Sequence, residues 1–330
     1  MSDKNIDPNR VYTEEEAKQL NIKIDLFGYA VLDPKRNMKD FFIIAPFSVI
    51  NTMDADWQAR KKRWDALIGN NTASRERVLY GTGETDVMKK VTEFNEGASV
   101  FDSCLAEILC KWFAVAGFKI TDTFAGGNFG YVASYLDMVF TGFEIRKDQC
   151  DINNERLQKD GFTQSCYINS SSHYMDTYLE DDTQDLLFTC PPYLDMEKYS
   201  DDPLDLSTMK PKVFFKEYEN ILLNGMRKLK NNRFAIVVVS EVRCKKTGGY
   251  LGLTHKTIDI MKKAGAMYWN EIILVNSVGT LPLRVNKFMN NTRKVGRRHQ
   301  NILVFYKGDE KEIKNIYPEL VPLNNYYNNQ

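Results

Sequence analysis

The stretch Asp185-Leu-Leu-Phe-Thr-Cys-Pro-Pro-Tyr193 runs an apolar segment straight into two prolines and an aromatic ring. A short, continuous apolar run suits a strand buried on both faces, and the prolines end it in a rigid turn. Proline donates no N–H, so the carbonyls of Cys190 and Pro191 are left as preset acceptors beside Tyr193. A planar amino group lying against the ring would suit this turn.

Outward from this strand the pattern alternates. Upstream, Lys119 to Thr123 reads as a strand, Phe124-Ala-Gly-Gly-Asn-Phe-Gly130 as a glycine-rich turn, and the following residues through Leu136 as a helix. A second strand, Met138 to Phe143, ends on Glu144. Glycines between strand and helix let backbone amides approach a ligand closely, and an acid at the end of the next strand can accept hydrogen bonds from both hydroxyls of a ribose. The spacing from Gly126 to Glu144 is close to the roughly twenty residues expected of such a fingerprint. Downstream come a periodic helix from Phe214 to Leu229, an apolar strand from Phe234 to Ser240, and a helix from Thr254 to Ala264. Two further strands follow, Trp269 to Asn276 and Asn301 to Lys307. Strand and helix alternating from residue 119 onward predict an α/β, doubly wound sheet.

Cys190-Pro-Pro-Tyr193 resembles the motif of S-adenosylmethionine-dependent DNA methyltransferases that act on exocyclic amino groups (the cytosine-N4 and adenine-N6 family), in which Asp, Asn or Ser precedes Pro-Pro and an aromatic. Asp122-Thr-Phe-Ala-Gly126 resembles the same family's cofactor loop, and His299-Gln300 its late motif. The resemblance covers about residues 99 to 308. It implies a Rossmann-like, mostly parallel seven-stranded methyltransferase sheet with an antiparallel C-terminal hairpin and an N-terminal appendage. Cys190, Pro191, Pro192 and Tyr193 would be catalytic, the first side chain and the next carbonyl holding the target amino group and Tyr193 stacking on a flipped base. Phe101, Asp122, Phe124, Gly126, Gly127 and Glu144 would bind S-adenosyl-L-methionine, with Phe101 against its methionine end. Thr123 replaces the usual Pro and Asn128 a usual small residue. The acid that holds the adenine amino group has no counterpart in Cys166-Tyr-Ile-Asn-Ser-Ser171, so Asn169 or Ser170 would stand in, at weaker affinity.

A chain of 330 residues is long enough for one large domain with an appendage or for two modest ones. The expected division is an N-terminal extension over 1–96, a catalytic domain over 97–312 and a tail over 313–330. Within the extension, Thr13 and Glu16 form a capping box ahead of a short helix, Phe41 to Val49 reads as a strand or core-docking arm, and Asp54 caps a helix carrying Trp57 and Trp64. Arg60-Lys-Lys-Arg63 reads as a solvated helix face or, more sharply, a phosphate-contacting surface. Gly69 to Glu96 reads as a loop. Asp102 or Ser103 caps a helix over Leu105 to Phe113, and the polar residues after Tyr193 read as a surface loop or a substrate-side lid.

The formal net charge is zero, so a polyanionic partner must meet a local basic surface. No acid lies between Glu271 and Asp309, while Arg284, Lys287, Arg293, Lys294, Arg297 and Arg298 do, which is the footprint expected for a DNA backbone. The six cysteines form no C-x-x-C pair and read as reduced thiols in a cytoplasm-like compartment; no metal site is expected. No apolar run is long enough to span a bilayer. The resulting expectation is a phage-type or restriction-modification DNA methylase of a bacterial or phage-infected cell, favouring cytosine N4 slightly over adenine N6. The alternatives are a catalytically impaired cofactor- or DNA-binding protein on this fold, an RNA or protein amino-methyltransferase, or an enzyme using Cys190 as nucleophile at a ring carbon. Recognition sequence and oligomeric state stay open.

Overall fold

A computed structural model describes residues 10–20, 23–24, 30–31, 42–69, 101–194 and 199–320. The loop expected over 69–96 lies, apart from Gly69, outside these residues. The chain divides into two compact units, one of Met1–Pro46 with Glu319–Gln330 and the other of Phe47–Pro318. In the first, helix α1 (Glu14–Leu20) starts on the expected capping box. The Glu16 N–H donates to Thr13 Oγ1 at 3.2 Å, and the Thr13 N–H to Glu16 Oε2 at 2.9 Å. Strands β1 (Lys23–Ile24) and β2 (Ala30–Val31) pair antiparallel.

The second unit carries the sheet. In chain order it contains β3 (Val49–Asn51), α2 (Ala55–Ile68), α3 (Ser103–Phe113), β4 (Lys119–Asp122), α4 (Phe129–Tyr135), β5 (Val139–Glu144) and α5 (Lys147–Lys159). Then come β6 (Cys166–Asn169), β7 (Gln184–Thr189), α6 (Pro211–Lys228), β8 (Leu229–Val239), α7 (Leu253–Lys263), β9 (Met267–Val275), α8 (Leu281–Thr292), β10 (His299–Lys307) and α9 (Ile313–Ile316). The strand order is β3-β9-β10-β8-β7-β4-β5-β6. Strands β4 to β8 pair in parallel, and β10 pairs antiparallel with β8 and β9.

This is the expected mixed α/β sheet with its antiparallel C-terminal hairpin, corrected by an added edge strand and by a helix in the last connection. An eighth strand, β3, adds in parallel to β9 at the edge; at three residues it is too short to give a periodic signal. The expected boundary near residue 97 lies outside the described residues, and α2, which precedes it, packs on α3 within the unit of Phe47–Pro318. There Arg60 pairs with Glu107, and Trp64 Nε1 donates to the same carboxylate at 2.8 Å. The 276–298 connection, expected as a plain hairpin closure, carries α8, a helix with no buried residue.

Alternation along the central strands sends side chains to two helical layers. Leu187, Val237, Leu303 and Phe305 join Phe214, Tyr218 and Leu222 of α6 and Leu253 and Met261 of α7 in one core. On the other face Phe188 stacks on Phe129 of α4 at 3.7 Å, and Phe113 of α3 meets Phe234 edge-on at 5.2 Å. Gly130 and Gly142 are needed for this packing, since a Cβ at either would lie 2.4 Å or 2.6 Å from Phe140 ring atoms. Among the described residues no helix is long and apolar enough to cross a membrane, and no cluster of His, Cys, Asp and Glu could hold a metal ion.

Candidate active site

Because β8 and β9 both oppose β10, they run with β4, β5, β6 and β7, so the ends of all these strands and the start of β10 share one rim. That is where a doubly wound sheet places ligands. A cavity of about 820 Å³ opens there. All four residues of the Cys190–Tyr193 turn line it, as do Phe101, Asp122, Phe124, Gly126, Gly127, Glu144 and Ser170. From the basic segment, Arg284, Arg297 and Arg298 reach it together with His299 and Gln300, whereas Lys287, Arg293 and Lys294 do not.

The glycine turn is held from behind. Asn153 Nδ2 donates to the Gly126 carbonyl at 2.8 Å, Tyr167 Oη to that of Gly127 at 3.0 Å, and the Ala125 N–H to Phe143 O at 2.9 Å. At the head of the turn, Asp122 Oδ1 accepts from the Phe124 N–H at 2.9 Å, in an almost fully buried position. Burial pushes this carboxyl up to about 8; the Phe124 N–H pulls the other way, and the charge of Glu144 adds to the rise. Glu144 Oε1 accepts from the Arg146 N–H at 2.8 Å at the end of β5.

Asn169 donates to the carbonyls of Glu144 and Ile145 at 3.1 and 3.0 Å, so of the two stand-ins for the missing acid only Ser170 lines the cavity. Ser171 and Ser172, unremarked in the sequence, line it too. Ser172 Oγ donates to Thr123 O, and Ser171 Oγ lies 2.9 Å from His173 Nδ1, whose ring is tied through Nε2 to Glu217 of α6 at 2.8 Å. That hydrogen bond holds the Glu217 carboxyl below its usual range.

Phe101 meets Phe188 edge-on at 5.0 Å, making an aromatic floor. Asp102 caps α3, as expected, through the N–H groups of Cys104 and Leu105 at 2.9 and 3.2 Å. Cys190 Sγ lies 3.9 Å from Tyr193 Oη. Burial raises the Tyr193 phenol well above its usual range, so it stays neutral. The next residue, Leu194, has φ of 51°, a conformation β-carbon sterics disfavour, and it is held there by burial in the core.

Residues 200–207 are more ordered than a plain surface loop. Asp205 is buried and accepts from the N–H groups of Ser200 and Ser207 at 2.7 and 2.8 Å, and Leu206 enters the core. An Asp followed two residues on by Ser was the available signal, one shared with many turns.

On the opposite wall Arg297 donates through Nε to Ser240 Oγ at 3.0 Å and through Nη2 to Asn301 Oδ1, while Asn301 donates to Glu271 at 2.6 Å. Burial, then the Arg297 charge, hold His299 below its usual range, with Glu271 opposing. The Arg60–Arg63 run divides: Lys62 and Arg63 are exposed, Arg60 pairs inward with Glu107, and Lys61 lies 3.1 Å from Asp65 and reaches the cavity.

No family model matches the chain, and no curated protein matches it. Solved structures do. TrmN from Thermus thermophilus is 12% identical at a TM-score of 0.41, covering 62% of this chain and 48% of its own length. This chain thus spans about half of that protein. A putative rRNA methylase from Clostridium thermocellum is 15% identical (TM-score 0.40), covering 64% and 99%. Geranyl diphosphate C-methyltransferase from Streptomyces coelicolor A3(2) is 13% identical (TM-score 0.45), covering 76% and 97%. Identities this low leave function to the chain's own residues.

Proposed function

We propose that this protein transfers a methyl group from S-adenosyl-L-methionine to the exocyclic amino group of a base in double-stranded DNA. The observation that carries the reading is that the Asp122–Gly127 turn, Glu144 and the Cys190–Tyr193 turn line one cavity. Its volume, about 820 Å³, lies within the range of small-molecule and cofactor sites.

The residues fit the cofactor. Glu144 offers a carboxylate for ribose hydroxyls, Ser170 a hydroxyl near the adenine position, the propped glycine turn a close backbone approach, and Phe101 an apolar wall. When bound, the group supplies an electrophilic methyl carbon on a sulfonium. The protein's part is alignment. The Pro191 carbonyl and the Cys190 side chain accept hydrogen bonds from the target amino group, drawing its lone pair out of conjugation and aiming it along the cavity. Tyr193, neutral and half-buried, stacks on the base, which must leave the duplex to arrive there. Arg284, Arg297 and Arg298 meet phosphates at the rim.

Cys190 is closest in size to Ser, which favours cytosine N4 slightly over adenine N6. It also motivates the second reading, a binding protein on this fold that has lost transfer, because a thiol is a weak acceptor. Mass spectrometry of nucleosides from DNA of a host expressing the chain decides between them. N4-methylcytosine or N6-methyladenine is the expected product. Unmodified DNA beside folded, cofactor-binding protein would favour the binding module, and 5-methylcytosine would move Cys190 to the role of nucleophile.

A further inference from the structure

The chain has a second acid-free stretch. Residues 242–258 hold Arg243, Lys245, Lys246 and Lys256 and no Asp or Glu, as residues 272–308 hold seven Lys and Arg and no acid. In a chain of zero net charge, both concentrations must be balanced elsewhere. Topology puts them together: one follows β8, the other β9, and these strands end on the same rim.

The first stretch folds back as a tight hairpin. The Leu251 N–H donates to Val242 O at 2.9 Å, the Cys244 N–H to Gly249 O at 2.8 Å and the Gly248 N–H to Cys244 O at 2.7 Å. Arg243 lies over the Tyr250 ring at 3.9 Å and donates to Gly248 O at 3.0 Å. Lys245 and Lys246 are exposed at the tip. Lys294, from the segment after α8, packs on this tip: its Nζ lies 2.1 Å from where a Cβ of Gly248 would stand, and Gly248 has φ of +75°. Lys294 does not line the cavity, so the hairpin accounts for its position. The acids bounding the two stretches are used internally, Glu241 accepting from the N–H groups of Gly252 and Thr254 and Glu271 from Asn301.

We propose that the Val242–Leu251 hairpin, with Lys294 against it, is a second phosphate-contacting wall, so that the substrate is a polynucleotide gripped on its backbone rather than a free nucleoside or small amine. This rests on the nucleic-acid methyl-transfer reading and names residues outside it. A basic surface with exposed apolar side chains, such as Leu283 and Val295 here, can also suit an anionic membrane. The arginines lining the cavity favour nucleic acid, because they put the charge around a concave site and not on a flat face.

The test is K245E/K246E in the full chain, with fluorescence anisotropy on a 20-base-pair duplex across a salt series, calorimetry with S-adenosylmethionine, and binding to anionic phosphatidylserine vesicles. Each phosphate contact contributes about 0.9 to the slope of log K against log salt, so loss of two should make it shallower by about 2 and lower duplex affinity, with cofactor affinity and circular dichroism unchanged. Unchanged duplex affinity and slope would overturn the proposal, as would wild-type binding to vesicles but not to duplex. Failure of the underlying reading looks different: wild type would bind the duplex with the hairpin-dependent slope yet transfer no methyl group, and the wall would stand. K245Q/K246Q, which removes charge without reversing it, should shift the slope the same way.

Discussion

Thr123 Oγ1 donates to Thr189 Oγ1 at 2.8 Å, joining the residues at the rim ends of β4 and β7, and neither side chain is more than 2% exposed. The Asp122–Gly127 turn lies on one side of this bond and the Cys190–Tyr193 turn on the other. Thr123 stands where the resembling family has proline, so here a side-chain hydroxyl ties the two turns together.

Thr123→Val should therefore destabilise the protein by about 1–3 kcal/mol, because it leaves the buried Thr189 hydroxyl without this partner. Adding Thr189→Val should recover much of the loss. Urea unfolding of the two single variants and the double variant gives the coupling.

Two glycines of the same segment should behave in opposite ways. A Cβ at Gly126 meets nothing within 4 Å, so Gly126→Ala should leave stability unchanged and weaken cofactor binding where backbone must approach a ligand. Gly130→Ala would push into Phe140 and the Tyr167 hydroxyl and should cost about 1–3 kcal/mol. Thermal unfolding and calorimetric titration with the cofactor separate the two effects.

At position 190, Cys190→Ser should keep or raise the methyl-transfer rate, since a hydroxyl is the better acceptor. Cys190→Ala should lower it only about 2- to 10-fold, the equivalent of one neutral hydrogen bond, because the Pro191 carbonyl remains. Single-turnover kinetics with labelled cofactor measures this. Complete loss in Cys190→Ala would point to covalent chemistry instead.

Asp122 should leave a pH signature in the cofactor-free protein. Its folded pKa of about 8 is above its ordinary value of 3.8, so between these the native state holds a proton that the unfolded state has released. Stability then falls as pH rises from about 4 to about 8 and levels off above that. Asp122→Asn keeps an oxygen to accept the Phe124 N–H and should flatten this slope. Urea unfolding across that pH range checks it.

The alternation of apolar runs with periodic helices carried most of the architecture. Leu186–Thr189 reads as a strand buried on both faces, and Asp102 and the Thr13–Glu16 pair mark helix starts by a local hydrogen-bond demand that does not depend on the rest of the fold, whereas Asp54 takes the N-cap position without a side-chain capping bond. The missed elements lack such a signal. Strand β3 is too short to show a period, and α8 has no buried residue.

The candidate site divides in the same way. The two turns and Glu144 could be named from residue type and spacing, because backbone freedom at glycine, rigidity at proline and a carboxylate at a strand end are local properties. Which of the basic residues reach the cavity could not be named so. Arg284, Arg297 and Arg298 line it while Lys287, Arg293 and Lys294 do not, and Ser172 and Ser240 take their roles from Thr123 and Arg297 in distant segments. Sequence alone determined the kind of sheet and the chemistry offered at its rim, since these follow from side-chain pattern and backbone constraints. Only the tertiary structure decided which side chains share that rim, because strands far apart in the chain must pair in a particular order and direction before their ends can meet.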